Sequence, residues 1–239
     1  MSLYRDQGVV LRTIKLGEAD RIVTIFGQAH GKIRGVAKGV RKTASRFGAR
    51  LEPTTHLAFQ AYRGRELDVI TQVETLDAHR ALREHYGCLT HAVSMLEAVD
   101  QVAQEREPNH GLYRMLVGAL HTLAERPSPV VSTAFFWKLL ALEGFQPLVD
   151  ECARCGAETG PFVGFDLADG GVLCETCLRN GGRPVDPATI AALRDVLGGR
   201  VHRILADSPP PAVLTELERL AIHALEYHSE RRLRSAALL

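Results

Sequence analysis

The chain has 239 residues, 46% hydrophobic and 24% charged, with a formal net charge of +1; this is the composition of a globular protein of one or two domains. No apolar run approaches the roughly 18–20 residues that a membrane span needs. The opening MSLYRDQGVV lacks the apolar stretch of a secretory leader, so the expectation is a chain that is neither exported nor held in a membrane. The small net charge hides an asymmetry: residues 1–80 carry 14 Lys and Arg against 8 Asp and Glu, whereas the remainder carries 15 against 20. A basic head on a mildly acidic body points to an acidic partner such as nucleic acid, although a solvated charged surface would read the same way.

In chain order, residues 7–77 read as short strands. Gln7 to Leu16 alternates around Val9, Leu11 and Ile14, and Arg21 to Phe26 is rich in β-branched residues. Lys32 to Ala37 follows the His30-Gly31 turn as a hairpin partner. Thr55 to Tyr62 and Leu67 to Leu76 pair across Arg63-Gly64-Arg65. Five short strands with close turns predict a small closed or nearly closed barrel. Between the third and fourth strands lies 38–53, a long basic connection of the kind that often carries function.

From His79 the period becomes helical. Leu82, Tyr86, Leu89, Val93, Leu96 and Val99 predict one face of a long helix, broken at Pro108-Asn109. Leu112, Leu116, Leu120 and Leu123 mark a second helix. Ser128-Pro129 caps a third through Phe135, Phe136, Leu139 and Leu142, which Gly144 can end. Asp186-Pro187 repeats the cap signal before Ile190, Leu193 and Leu197. Pro209-Pro210-Pro211 precedes a last helix at Leu214, Leu217, Ala221 and Leu225.

Between those helices stands Cys152-x2-Cys155, then eighteen residues, then Cys174-x2-Cys177. This spacing suits four thiolates on one zinc ion, since two intervening residues let both sulfurs of a tight turn face a point about 2.3 Å away. Gly170-Gly171 can fold the second pair back on the first, and Val163, Phe165 and Val172 can cover the site. With four protein ligands no position remains for water or substrate, so the reading is a structural Zn2+ in a reducing, cytoplasmic compartment. A redox disulfide or a chance pattern are the alternatives. A deaminase would need an H-x-E partner, which is absent, and Cys88 reads as a buried thiol.

The stretch Gly31 to Lys42, extended by Arg46 and Arg50, combines glycines that let a backbone approach phosphate with counter-charges for it. No G-x-x-x-x-G-K-[ST], G-x-S-x-G or H-E-x-x-H occurs, and the histidines show no ligand spacing. Phe47, Phe59 and Tyr62 can stack on bases if exposed, but such aromatics are more often core residues.

The segments Gly8-Val9-Val10-Leu11, Gly17-Glu18-Ala19-Asp20-Arg21-Ile22-Val23-Thr24, Gly31-Lys32 and Val36-Ala37-Lys38-Gly39-Val40-Arg41-Lys42, followed at a distance by the cysteine pairs, resemble the bacterial recombination mediator family RecO. The resemblance covers the chain. It implies an α+β multidomain protein: an N-terminal five-stranded OB-fold β-barrel over 1–78, an α-helical domain over 79–145 and 184–239, and an inserted four-cysteine zinc finger over 146–183. It also implies a non-enzymatic, nucleoid-associated role in recombinational DNA repair, with no catalytic residue. Such proteins bind and anneal single- and double-stranded DNA, act with RecR, recognise the acidic C-terminal tail of single-strand DNA-binding protein (SSB), and help load RecA. The residues expected to contact DNA are Arg34, Lys38, Arg41, Lys42 and Arg46, supported by Lys32, Arg50, Arg63 and Arg65. The tail is expected near Phe135, Phe136 and Lys138. The competing reading is a zinc-containing adaptor whose barrel docks a partner protein rather than DNA.

Overall fold

The computed structural model describes residues 2–41, 45 and 47–239. The chain forms two compact units, Met1–Pro127 with Arg234–Leu239, and Ser128–Leu233. No helix among the described residues is long and apolar enough to cross a membrane.

The first unit starts with β1 (Leu3–Leu16), β2 (Asp20–Gly27), β3 (Gly31–Ala37), β4 (His56–Tyr62) and β5 (Asp68–Asp77). They close into a barrel in the order β1-β2-β3-β5-β4, the topology of an OB-fold, with a parallel β3–β5 seam of only two residue pairs. Inward residues alternate along each strand, so Val10, Val23, Ile33, Leu57, Phe59 and Ile70 fill the interior. Phe47 and Leu51, at a 3-10 turn over Gly48–Leu51, join that core.

β1 begins four residues before the expected Gln7. Its first residues escape the apolar pattern because two inward positions are polar and satisfied. The Tyr4 hydroxyl donates to Asp68 at 2.5 Å, and the Asp6 carboxylate accepts the N–H groups of Ala29 and His30 in the β2–β3 turn. That turn needs Gly31: its φ is +64°, and a Cβ there would lie 2.1 Å from the Glu107 carbonyl oxygen.

The single long helix expected from His79 is instead two, α1 (Arg80–Glu84) and α2 (Tyr86–Val102), broken where His85 takes an extended conformation. The break resets the helical phase. Tyr86, expected on the buried face, is 72% exposed, while Cys88, Ala92, Met95 and Val99 are buried. α3 (His110–Glu125) starts at Asn109, whose side chain accepts the Leu112 N–H. The C-terminal 3-10 turn Arg234–Leu238 returns to α2, where the Glu97 carboxylate accepts the N–H groups of Arg234 and Ser235.

The second unit is centred on α4 (Pro129–Leu142), capped by Ser128 and buried on nearly every side. α6 (Pro187–Leu197) and α8 (Pro211–Ser229) pack against it, and the Trp137 indole donates to the Leu217 carbonyl. A short helix, α7 (Val201–Ala206), follows α6. The cysteine segment supplies a three-stranded sheet in the order β7-β6-β8, from β6 (Phe162–Asp166), β7 (Gly171–Cys174) and β8 (Arg183–Pro184), with α5 (Glu175–Leu178) after β7.

Candidate nucleic-acid interface and metal centre

The cysteine site is assembled by two tight turns and one hairpin. In the first turn the Gly156 N–H donates to the Cys152 carbonyl, with Gly156 at φ +71°. The β6–β7 hairpin sets Phe162 opposite Cys174 and so returns the second pair to the first. Its turn uses Gly170 at φ +71°, and Leu148 packs on the start of β7 at Gly171, where a Cβ would lie 2.4 Å from the Leu148 carbonyl oxygen.

The four Sγ atoms all lie within 4.8 Å of one another, and Cys155 Sγ is 3.9 Å from Cys174 Sγ. Four sulfurs at about 2.3 Å from a tetrahedral ion are roughly 3.8 Å apart, so the set can hold one such ion with little movement. Cys152 and Cys177 are buried, Cys174 is half-buried and Cys155 is exposed. Burial works against ionisation of Cys152, but the N–H groups of Cys174, Cys155 and Arg154 draw its thiol down to about 6. Burial and the neighbouring sulfurs push Cys177 up to about 12.

Arg154 ties the two turns together. Its guanidinium donates to the Cys177 and Gly181 carbonyls and to the carboxylates of Asp166 and Asp169. Arg179 pairs with Glu175.

The basic residues fall into three groups. Lys32 is turned inward: its side chain is 13% exposed, and its ammonium donates to the Asp100 carbonyl at 2.6 Å and faces the Asp100 carboxylate, which also holds Arg12. Arg34, Lys38, Arg41, Arg50, Arg63 and Arg65 reach solvent, Arg34 from a half-buried position with Glu105 4.0 Å away. Lys42 and Arg46 lie outside the described residues.

Two of the exposed segments are held rigidly. The Lys38–Arg41 turn is pinned to the β1–β2 hairpin, because the Arg41 N–H donates to the Ala19 carbonyl, the Gly39 N–H to the Asp20 carboxylate, and the Arg41 guanidinium to the Gly17 carbonyl. The β4–β5 loop that carries Arg63 and Arg65 is held by Asp68, which accepts the Gly64 N–H at 2.9 Å. Asp68 is fully buried. Burial alone would raise its pKa, but the Arg106 guanidinium at 2.9 Å, the Tyr4 hydroxyl and the Gly64 N–H outweigh that and hold the carboxyl below its usual range. Arg50 lines a groove of about 800 Å3 with Arg5, Gln7, Gln60, Gln72 and Glu74.

Of the three aromatics considered for stacking, Phe47 and Phe59 are core and Tyr62 is exposed. Phe135 and Phe136 are 2% and 0% exposed inside the second unit, leaving Lys138 alone of that group at the surface. A different apolar feature lies in that unit. A pocket of about 190 Å3 is lined by Trp137, Phe145, Pro147, Phe165, Leu167 and His228, with the Phe145 and His228 rings stacked at 4.1 Å. Periodicity could not have found it, because Phe145 follows the end of α4 and meets His228 only through the tertiary fold.

The family model described as "Recombination protein O N terminal" matches residues 1–79, and "Recombination protein O C terminal" matches residues 57–237. The chain is 42% identical over 243 residues to the "DNA repair protein RecO" of Thermobifida fusca (strain YX), an alignment covering 100% of this chain and 99% of that protein.

Proposed function

The chain belongs to the recombination protein O family, and from that premise we propose that it is a DNA-binding recombination mediator in recombinational DNA repair. The observation that carries this reading is the set of exposed cations on the barrel: Lys38 and Arg41 on one pinned turn, Arg63 and Arg65 on another. Fixed cations bind a polyanion at a smaller ordering cost than mobile ones, and each neutralised phosphate releases counterions. Neutralisation lets two strands approach, which is the electrostatic requirement of annealing and calls for no catalytic residue.

Arg34 and Arg50 extend the surface, Lys42 and Arg46 belong to the same connection, and Lys32 contributes indirectly by fixing β3 on Asp100. In this reading 1–78 binds nucleic acid, 79–145 and 184–239 form the helical body, and 146–183 is the finger. The ion that suits an all-sulfur, four-ligand, tetrahedral set is zinc. Held by Cys152, Cys155, Cys174 and Cys177, it would supply cross-linking energy to the finger rather than chemistry.

A partner acting on strands coated by SSB must also meet that protein's acidic tail. The pocket beside Phe145 and His228 supports that role better than the buried Phe135 and Phe136, since it is lined by apolar side chains that include the 44% exposed Phe145. RecR and RecA complete the set of partners, and the site of action is the nucleoid in the cytoplasm.

The test is annealing of complementary oligonucleotides together with fluorescence anisotropy on the purified protein alone. Direct binding and faster annealing are expected. Binding that appears only when a partner protein is added would favour the adaptor reading. Metal analysis should give about one zinc per chain, and less than half an equivalent with disulfide-bonded cysteines would reject the zinc assignment.

A further inference from the structure

The barrel's outer face carries an apolar row that no local stretch of sequence displays. Ile14 on β1 pairs in register with Ile22 on β2, Ile22 with Val36 on β3, Val36 with Val69 on β5, and Val69 with Tyr62 on β4, which in turn pairs with Leu3 at the start of β1. Residues directly opposite one another share a face. The inward neighbours Val23, Ala37, Ile70 and Ala61 are buried, so these six side chains point out. Ile14, Tyr62 and Leu3 are 46%, 41% and 47% exposed, and the other three are half-buried. A continuous apolar row around a small barrel is not explained by the core.

Cations border the row on both sides. Lys38 lies two residues past Val36, just beyond the end of β3, with Arg41 on the same pinned turn. Arg34 lies two residues before Val36, and Arg63 and Arg65 follow Tyr62 toward that same side. The carboxylates nearest the Lys38 side are Asp20, which caps the Gly39 N–H, and the exposed Glu18 at the hairpin tip. Apolar side chains flanked by separated cations match the two surfaces of a single nucleic-acid strand, bases inward and phosphates outward.

We propose that the row Ile14–Ile22–Val36–Val69–Tyr62 is a base-contacting track, on which unpaired bases of one DNA strand lie while the flanking cations hold its phosphates. The proposal rests on the DNA-binding reading above and adds what that reading lacks, a place for the bases. The aliphatic character of the track has a consequence for annealing. Stacking on an aromatic ring competes with the base stacking regained when a duplex forms. Contact with Ile and Val holds a base off its neighbours more weakly, so a complementary strand can remove it. Tyr62 is the one aromatic of the row, near its end.

The deciding variant is Ile14→Trp. Position 14 is exposed on the outer face, and the chain's one tryptophan, Trp137, is fully buried, so a new indole reports on the track. An unlabelled oligothymidylate should quench the new fluorescence over the same concentrations at which anisotropy shows binding. The variant should bind single strands several-fold more tightly and anneal complementary strands more slowly. Ile14→Ser should weaken single-strand binding about three-fold with an unchanged salt dependence, since it removes contact and no charge.

Unquenched fluorescence on demonstrably bound DNA would overturn the track while leaving the DNA-binding reading intact. A change in fluorescence that appears only with an added partner protein would make the row a protein-docking surface and overturn the track as well. Absence of any DNA binding by the unsubstituted protein would instead remove the reading on which the track rests.

Discussion

The cysteine centre and the barrel surface differ in how they are built, and so in how they fail. The centre draws its ligands from 152–177, brings four sulfurs within 4.8 Å, and encloses two of them. The barrel surface draws on all five strands and two loops, stays open to solvent, and gathers its strength from many small contributions. A closed site of four convergent ligands depends on every member, whereas an open electrostatic surface loses affinity in steps. The most vulnerable residues of the surface are therefore its supports rather than its contacts.

The sharpest way to break the first half of that contrast is Cys152→Ser. Structural zinc in small fingers carries on the order of 10 kcal/mol of folding energy, so with the zinc proposed above the variant should lose the metal and expose 146–183 to protease. DNA binding by the barrel should stay within about two-fold of the unsubstituted protein, because the cysteine segment lies in the other compact unit. Metal analysis, limited proteolysis and anisotropy on one preparation check all three. A large loss of DNA affinity would mean that the two regions are not separable.

The next effect in size tests the supports. Asp68→Asn leaves the Arg106 charge without its partner and replaces a carboxylate that accepts from Tyr4, Arg106 and Gly64. Arg106 is 32% exposed and keeps part of its hydration, so the loss falls below the roughly 3–5 kcal/mol of a fully buried pair and is readable as a lowered midpoint in urea. Because the one oxygen that remains must hold the Gly64 N–H without the carboxylate charge, the loop carrying Arg63 and Arg65 loosens, and DNA affinity should fall more than on removing Arg63 alone.

The smallest effect concerns the body of the second unit. Burial pushes the Glu218 carboxyl from 4.5 up to about 6, against the opposing influence of the Ser132 hydroxyl. A carboxyl whose folded pKa is raised holds more protons in the folded state, so stability declines as pH rises from 4.5 to about 6 and then levels off. Glu218→Gln should remove that decline and add about 1 kcal/mol above pH 6, a modest value because the half-buried group is partly screened by solvent. Thermal melts of both proteins at pH 4.5 and pH 7 make the comparison.

What the sequence revealed follows the same division. The four-cysteine site was legible because ligand spacing is a local property: Cys152-x2-Cys155 and the Gly170-Gly171 turn lie close together in the chain. The barrel was legible as five alternating segments, and the caps at Ser128 and Asp186 fixed two helix starts to the residue. Long-range registration was not legible. Nothing in the stretch around Ile14 tells that Val36 and Tyr62 share its row, since that depends on pairings across four strand interfaces. Nor does the lysine at 32 announce that Asp100, 68 residues later, will take its ammonium. The break at His85 was hidden because the apolar spacing runs through it unbroken. There the tertiary packing of Cys88, Ala92 and Met95 decided which face is buried.

The central claim is that fixed cations on the barrel bind DNA phosphates, and its most direct test is the salt dependence of single-strand binding. The measurement compares the unsubstituted protein with Arg41→Ala/Arg63→Ala/Arg65→Ala. Each lost phosphate contact should flatten the slope of log K against log salt by about 0.7, so the triple variant should bind more weakly with a slope shallower by roughly 2. Unchanged affinity and an unchanged slope would contradict the account.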